Sequence, residues 1–184
     1  MSRAVYLGPW RIDVTVRDGV RVPVPIVRLA RAIRAALDAA GAPAPASIGL
    51  ILADDRELAT LNARHLGHRG PTDVLSFPLL PPEAFPAHVG RPAGSSPGGA
   101  SMAPSFPLPP GRRPHLGDIV VSVERAVEQV GAGRGGQTGD VRWSPADELR
   151  LLVTHGALHI CGWDHAAPAD EAAMRALEAR LLAT

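Results

Sequence analysis

The stretch from Ser144 to His165 constrains this chain more than any other, because it specifies a helix, both of its ends and what one face must carry. Ser144 is a natural cap and Pro145 suits a first turn, while Asp147 and Glu148 complement the positive end of the helix dipole. Leu149, Leu152 and Val153 continue the apolar pattern to about Cys161, and Gly162 offers a stop by way of a positive φ angle. His155 and His159 are four residues apart and so share a face, with Cβ atoms about 6 Å apart. That separation lets two imidazoles meet one ion through bonds of about 2.0–2.1 Å. Beyond Gly162 the chain reverses and brings His165 back toward the same point.

A lone histidine is more often a hydrogen-bonded structural residue than a ligand. The spacing His155-x3-His159-x5-His165, with a glycine at the reversal, is hard to explain that way. His155, His159 and His165 are therefore expected to hold one Zn2+ per chain, although copper, nickel and iron accept the same donors. A closed structural zinc site takes four protein ligands. Cys161 lies two residues after His159, which turns it to another side of the helix and makes it a buried apolar residue rather than a fourth ligand. The open position falls to water, whose pKa zinc lowers toward about 7, so the site reads as hydrolytic. Zinc peptidases share the spacing and the glycine, but place a general-base glutamate where this chain has Gly156. That base is typically worth a factor of about 10² to 10⁴, so Gly156 argues against peptide hydrolysis.

The rest of the chain reads as one domain over residues 1–184. Its 46% hydrophobic and 20% charged residues are ordinary for a globular fold. Strands are expected over Arg11–Val16, Ser47–Ala53, Thr72–Phe77 and Asp118–Val123. Helices are expected from Pro25 to Ala40, from an Asp54/Glu57 capping box to His65, over Glu124–Val130, through the segment above, and from Pro168 to Leu182. Pro, Gly and Ser crowd residues 79–115 without periodicity, which predicts a flexible insertion. Gly131, Gly133 and Gly136 match a dinucleotide-binding pattern, but without the strand that should precede it, and so predict only a loop. No apolar run approaches the roughly 20 residues that span a bilayer. A secretory leader is not evident, and the single cysteine provides no disulfide framework, so a cytoplasmic protein is expected. The net charge of +1 gives no global argument for nucleic acid, so any such partner must be recognised locally.

The run His155-Gly156-Ala157-Leu158-His159-Ile160-Cys161-Gly162-Trp163-Asp164-His165 closely resembles the motif of the YbeY family of bacterial rRNA-maturation endoribonucleases. Pro71-Thr72-Asp73-Val74-Leu75-Ser76-Phe77-Pro78 and Leu116-Gly117-Asp118-Ile119-Val120 agree in order and content, as does Leu61-Asn62. The likeness runs from about Ile48 to Leu181 apart from the insertion. It implies an α/β (α+β) domain with a small, mostly parallel four-stranded mixed sheet, about five flanking helices and the zinc site at one end. It further implies a metal-dependent endoribonuclease specific for single-stranded RNA. That enzyme would process rRNA precursors, above all the 3′ end of the small-subunit rRNA, and act in ribosome quality control with the small ribosomal subunit as partner. Neither DNA nor a membrane is an expected partner. The three histidines map onto the family's zinc ligands. Where the family has Tyr-Arg, this chain has His65-Leu66, so the arginine tied to RNA handling is missing at Leu66 and no catalytic residue is assigned. A zinc hydrolase of other specificity and a non-catalytic ribosome-assembly factor with structural zinc stand as alternatives.

Overall fold

Two strands show how the sequence sorts itself. Trp10–Val16 (β2) alternates, burying Trp10, Ile12 and Val14 while Arg11 faces water. Ala46–Ala53 (β3) is apolar nearly throughout and is buried on both faces, as expected of a strand inside a layered α/β sheet. The computed structural model describes residues 1–68, 70–88, 113–133 and 143–183.

In chain order, the remaining elements are β1 (Ser2–Leu7), α1 (Ile26–Ala39), α2 (Asp55–His65), β4 (Val74–Pro78), a short 3-10 turn at Pro82–Ala84, β5 (His115–Ser122), α3 (Val123–Gly131), α4 (Pro145–Ile160) and α5 (Pro168–Leu182). The sheet has five strands in the order β1-β2-β3-β5-β4. β3 pairs in parallel with β2 and β5, whereas β1 and β4 run antiparallel at the two edges. The strand absent from the sequence expectation is β1, where Ser2, Arg3, Ala4 and Tyr6 are exposed. An edge strand with little buried surface leaves a weak hydrophobic pattern. β5 also begins earlier than expected, at His115.

Alternation divides the side chains between two layers. Ile12, Val14, Ile48, Leu50, Leu52, Ile119 and Val121 join Leu29, Ile33 and Leu37 of α1 and Leu149, Leu152 and Val153 of α4 in the main core. On the opposite face, Ala53, Leu75 and Val120 pack against Leu58 and Leu61 of α2. Asp54 caps α2 by accepting the Glu57 N–H at 2.8 Å, but the Glu57 carboxylate pairs with Arg17 instead of completing a capping box. Residues 89–112 of the expected insertion lie outside the described residues, as do 134–139 of the glycine loop. The described ends of the insertion are packed: Phe85 is buried, and Leu80 leans on the main core.

α4 is the central element. Leu149, Leu151, Leu152, Val153, Thr154, Gly156, Ala157, Leu158 and Ile160 are all buried, so this helix has almost no solvent face. Its start is a complete capping box between Ser144 and Asp147. Its end is a Schellman motif: Trp163 N–H donates to Leu158 C=O at 3.1 Å and Gly162 N–H to His159 C=O at 3.0 Å, with Gly162 at φ +81°. At Gly156 the helix lies directly against the sheet. A Cβ there would meet Ile119 Cγ2 at 2.7 Å and Ser76 Oγ at 3.2 Å, and Ser76 donates to the Gly156 carbonyl at 3.1 Å.

Candidate metal centre

Because α4 is enclosed, its two histidines open toward solvent only where α5 and the reversal after Gly162 meet it. His155 Nδ1–H donates to the Glu178 carboxylate at 2.6 Å, and His159 Nδ1–H donates to the Trp163 carbonyl at 2.8 Å. With both Nδ1 atoms engaged as donors, the two Nε2 atoms face each other 3.0 Å apart, where two neutral rings would present lone pair to lone pair. Two lone pairs at that distance repel unless a proton or a cation lies between them. Burial, then the neighbouring His155 and His165, push the His159 pKa down to about 4, so its ring is a neutral acceptor at neutral pH.

His165 completes the group from the exposed turn. Its ring centroid lies 5.7 Å from that of His155 and 5.0 Å from that of His159, and one nitrogen from each of the three lies within 4.8 Å of the others. Tetrahedral bonds of 2.0–2.1 Å set ligand nitrogens roughly 3.3 Å apart. The pair on α4 already approaches that spacing, and His165 stands on the exposed turn beside it. Three imidazole nitrogens, with second nitrogens fixed on two of the rings, are a donor set that one zinc-sized cation fits.

Sequence reasoning missed Glu178. It is a carboxylate only 3% exposed on the apolar stripe of α5 formed by Met174, Leu177 and Leu181. An acidic residue at i+4 from Met174 on a core-facing stripe was the available signal. Its position orients His155 and fixes which ring nitrogen faces the cluster. Glu178→Gln, which keeps the shape and removes the charge, is expected to weaken metal affinity by about 10- to 100-fold in competition with a chromophoric chelator. Unchanged affinity would show that the carboxylate merely fills space.

A cavity of about 140 Å³ opens beside the cluster, lined by His155, His165, Glu171, Met174, Arg175 and Glu178. Arg175 donates to Glu171 at 2.6 Å along the exposed side of α5. Other residues within and beside the quoted motifs do not join the cluster of three. Cys161 is fully buried, and desolvation pushes its thiol up to about 12, so it is an apolar filler. Asp164 accepts the His165 backbone N–H at 2.8 Å and orients no imidazole. Asp73 holds the start of β4 by accepting the Val74 N–H at 2.9 Å. Asp118 pairs with His115 at 3.2 Å, and the His115 ring in turn meets Ser47 Oγ at 3.0 Å, away from the cluster. His65 stands edge-on to Phe77. Leu66 is 57% exposed at the end of α2. Arg69 lies outside the described residues, and Arg64 projects from α2, the helix on the far face of the sheet from α4. No helix among the described residues is long and apolar enough to cross a membrane.

Fold and site together define a mixed α/β protein with a three-histidine cluster, at one end of a buried helix, that can hold a metal ion. Comparison with known proteins makes this specific. The family described as "Endoribonuclease YbeY" matches residues 22–184, and the chain belongs to that family. The protein of Salinispora tropica named endoribonuclease YbeY is 40% identical over 153 residues, covering 82% of each chain. Its namesake from Thermobifida fusca is 38% identical over 172 residues, covering 94% of this chain and 92% of its own. A Thermotoga maritima protein solved in solution aligns over 95% of this chain and 89% of its own, with a TM-score of 0.48 and 18% identity.

Proposed function

We propose that this chain is a zinc-dependent endoribonuclease specific for single-stranded RNA, acting in rRNA maturation at the 3′ end of the small-subunit rRNA and in ribosome quality control. The observation that carries the reading is the pair of inward-facing Nε2 atoms 3.0 Å apart, joined by His165 at the mouth of an open cavity. Relatives named as endoribonucleases support the substrate class. His155, His159 and His165 are the ligands in this reading, and Glu178 and the Trp163 carbonyl hold two of them in place. Zinc supplies Lewis acidity and a nucleophile at neutral pH when bound. Arg175, lining the cavity, offers phosphate the guanidinium that Leu66 does not. The protein works as a single cytoplasmic domain with rRNA precursors and the small ribosomal subunit as partners.

Purified holoprotein given one RNA in single-stranded and in duplex form tests this. Cleavage of the single strand alone, lost on chelation and restored by zinc, is the expected result. Absence of cleavage, with binding to small ribosomal subunits retained, would favour the assembly-factor reading, to which the leucine at position 66 lends weight.

A further inference from the structure

The peptide between Gly162 and His165 both anchors His159 and returns His165, so whatever holds that turn also holds the metal centre. Its outer side is closed by the segment after β4. A Cβ on Gly162 would meet Pro82 Cβ at 3.3 Å. His88 lies flat on the Trp163 indole, with ring centroids 4.1 Å apart and planes 6° from parallel. The His88 Nε2–H donates to the Gly162 carbonyl at 3.2 Å. Trp163 in turn offers its carbonyl to His159 Nδ1. Contact thus runs from His88 through two consecutive peptides to one ligand, two residues before another.

We propose that His88 is a positioning residue of this centre, fixing the reversal so that His159 and His165 face the same ion; the inference rests on the metal reading above. Its argument is the choice of ring. The His88 Nδ1 is buried and finds no hydrogen-bond partner among the described residues. Native structures seldom leave a buried acceptor so. Phenylalanine would cover the indole equally well and carry no ring nitrogen to orphan. What imidazole adds is the Nε2–H, which ties down a carbonyl in the turn. Nothing in residues 79–88 marked His88 in the sequence, where it stands in a proline-rich stretch.

Two variants separate the bond from the packing. His88→Phe keeps a ring over Trp163 and removes the donor. His88→Gln places an amide N–H where Nε2 stands and removes the ring. Each is titrated with Co2+ and compared with wild type in affinity, in visible ligand-field absorption and in the thermal midpoint of the metal-free protein. The expected result is a loss of Co2+ affinity of about tenfold in His88→Phe, with an altered absorption band, a nearly unchanged metal-free midpoint, and partial recovery in His88→Gln. If His88→Phe matches wild type in affinity and spectrum, His88 only packs and the proposal is wrong. If wild type itself takes up no cobalt, the metal reading fails and this inference falls with it.

Discussion

His165→Ala is expected to leave a folded protein that has lost its stoichiometric metal and cleaves single-stranded RNA at least about 10²-fold more slowly. Residues that merely orient a ligand are worth about 10- to 100-fold, so a ligand itself is worth more. His165 is the informative position because it stands on the exposed turn and contributes little to the core. His155→Ala should give the same functional loss together with a lower thermal midpoint, because it strands the Glu178 carboxylate, 3% exposed, without its partner. An unpaired buried charge costs about 3–5 kcal/mol, a large share of a typical domain stability of about 5–15 kcal/mol. The pair of variants thus separates chemistry from stability. Equal thermal loss in both would show that the cluster is chiefly structural.

The second large effect concerns Gly156. By the motif logic of zinc peptidases, a glutamate here would restore the missing general base. The packing predicts otherwise. A Cβ alone would sit 2.7 Å from Ile119 Cγ2 and 3.3 Å from Val74 Cγ2, so the position faces the sheet, not the cavity. Gly156→Ala is therefore expected to cost about 1–3 kcal/mol by overpacking, measured by chemical denaturation. Gly156→Glu adds a buried carboxylate without a partner and is expected to abolish cooperative folding, with no gain of peptidase activity. A stable Gly156→Glu protein that hydrolyses casein would refute this account of the helix–sheet contact. Gly156 thus bears on function through geometry: only a glycine lets α4 lie close enough to β4 and β5 to put its histidines at the cavity.

How much of this was legible in the sequence varies with the range of the interactions involved. α4 could be read nearly whole, since its cap, its apolar spacing, its histidine pair and its stop at Gly162 are all local. Four strands announced themselves through alternation or apolar runs. β1 did not, because an edge strand whose Ser2, Ala4 and Tyr6 face water has little hydrophobic pattern to show. Within the centre, the three histidines followed from spacing, but Glu178 and His88 did not. Each reaches the cluster from a different part of the chain through tertiary packing: the place of Glu178 on the apolar stripe of α5 hinted only at burial, and a histidine among prolines carries no mark at all. Asp73, Asp118 and Asp164 lie within the quoted motifs, yet each makes local contacts, which the sequence alone does not tell from a role at the site.

Elemental analysis of protein purified without chelators or a polyhistidine tag is the most direct test of the central claim. The account predicts close to one zinc-like transition metal per wild-type chain and little in His165→Ala. Wild-type protein that is folded and yet carries only trace metal, even after zinc is offered and the excess removed, would contradict it.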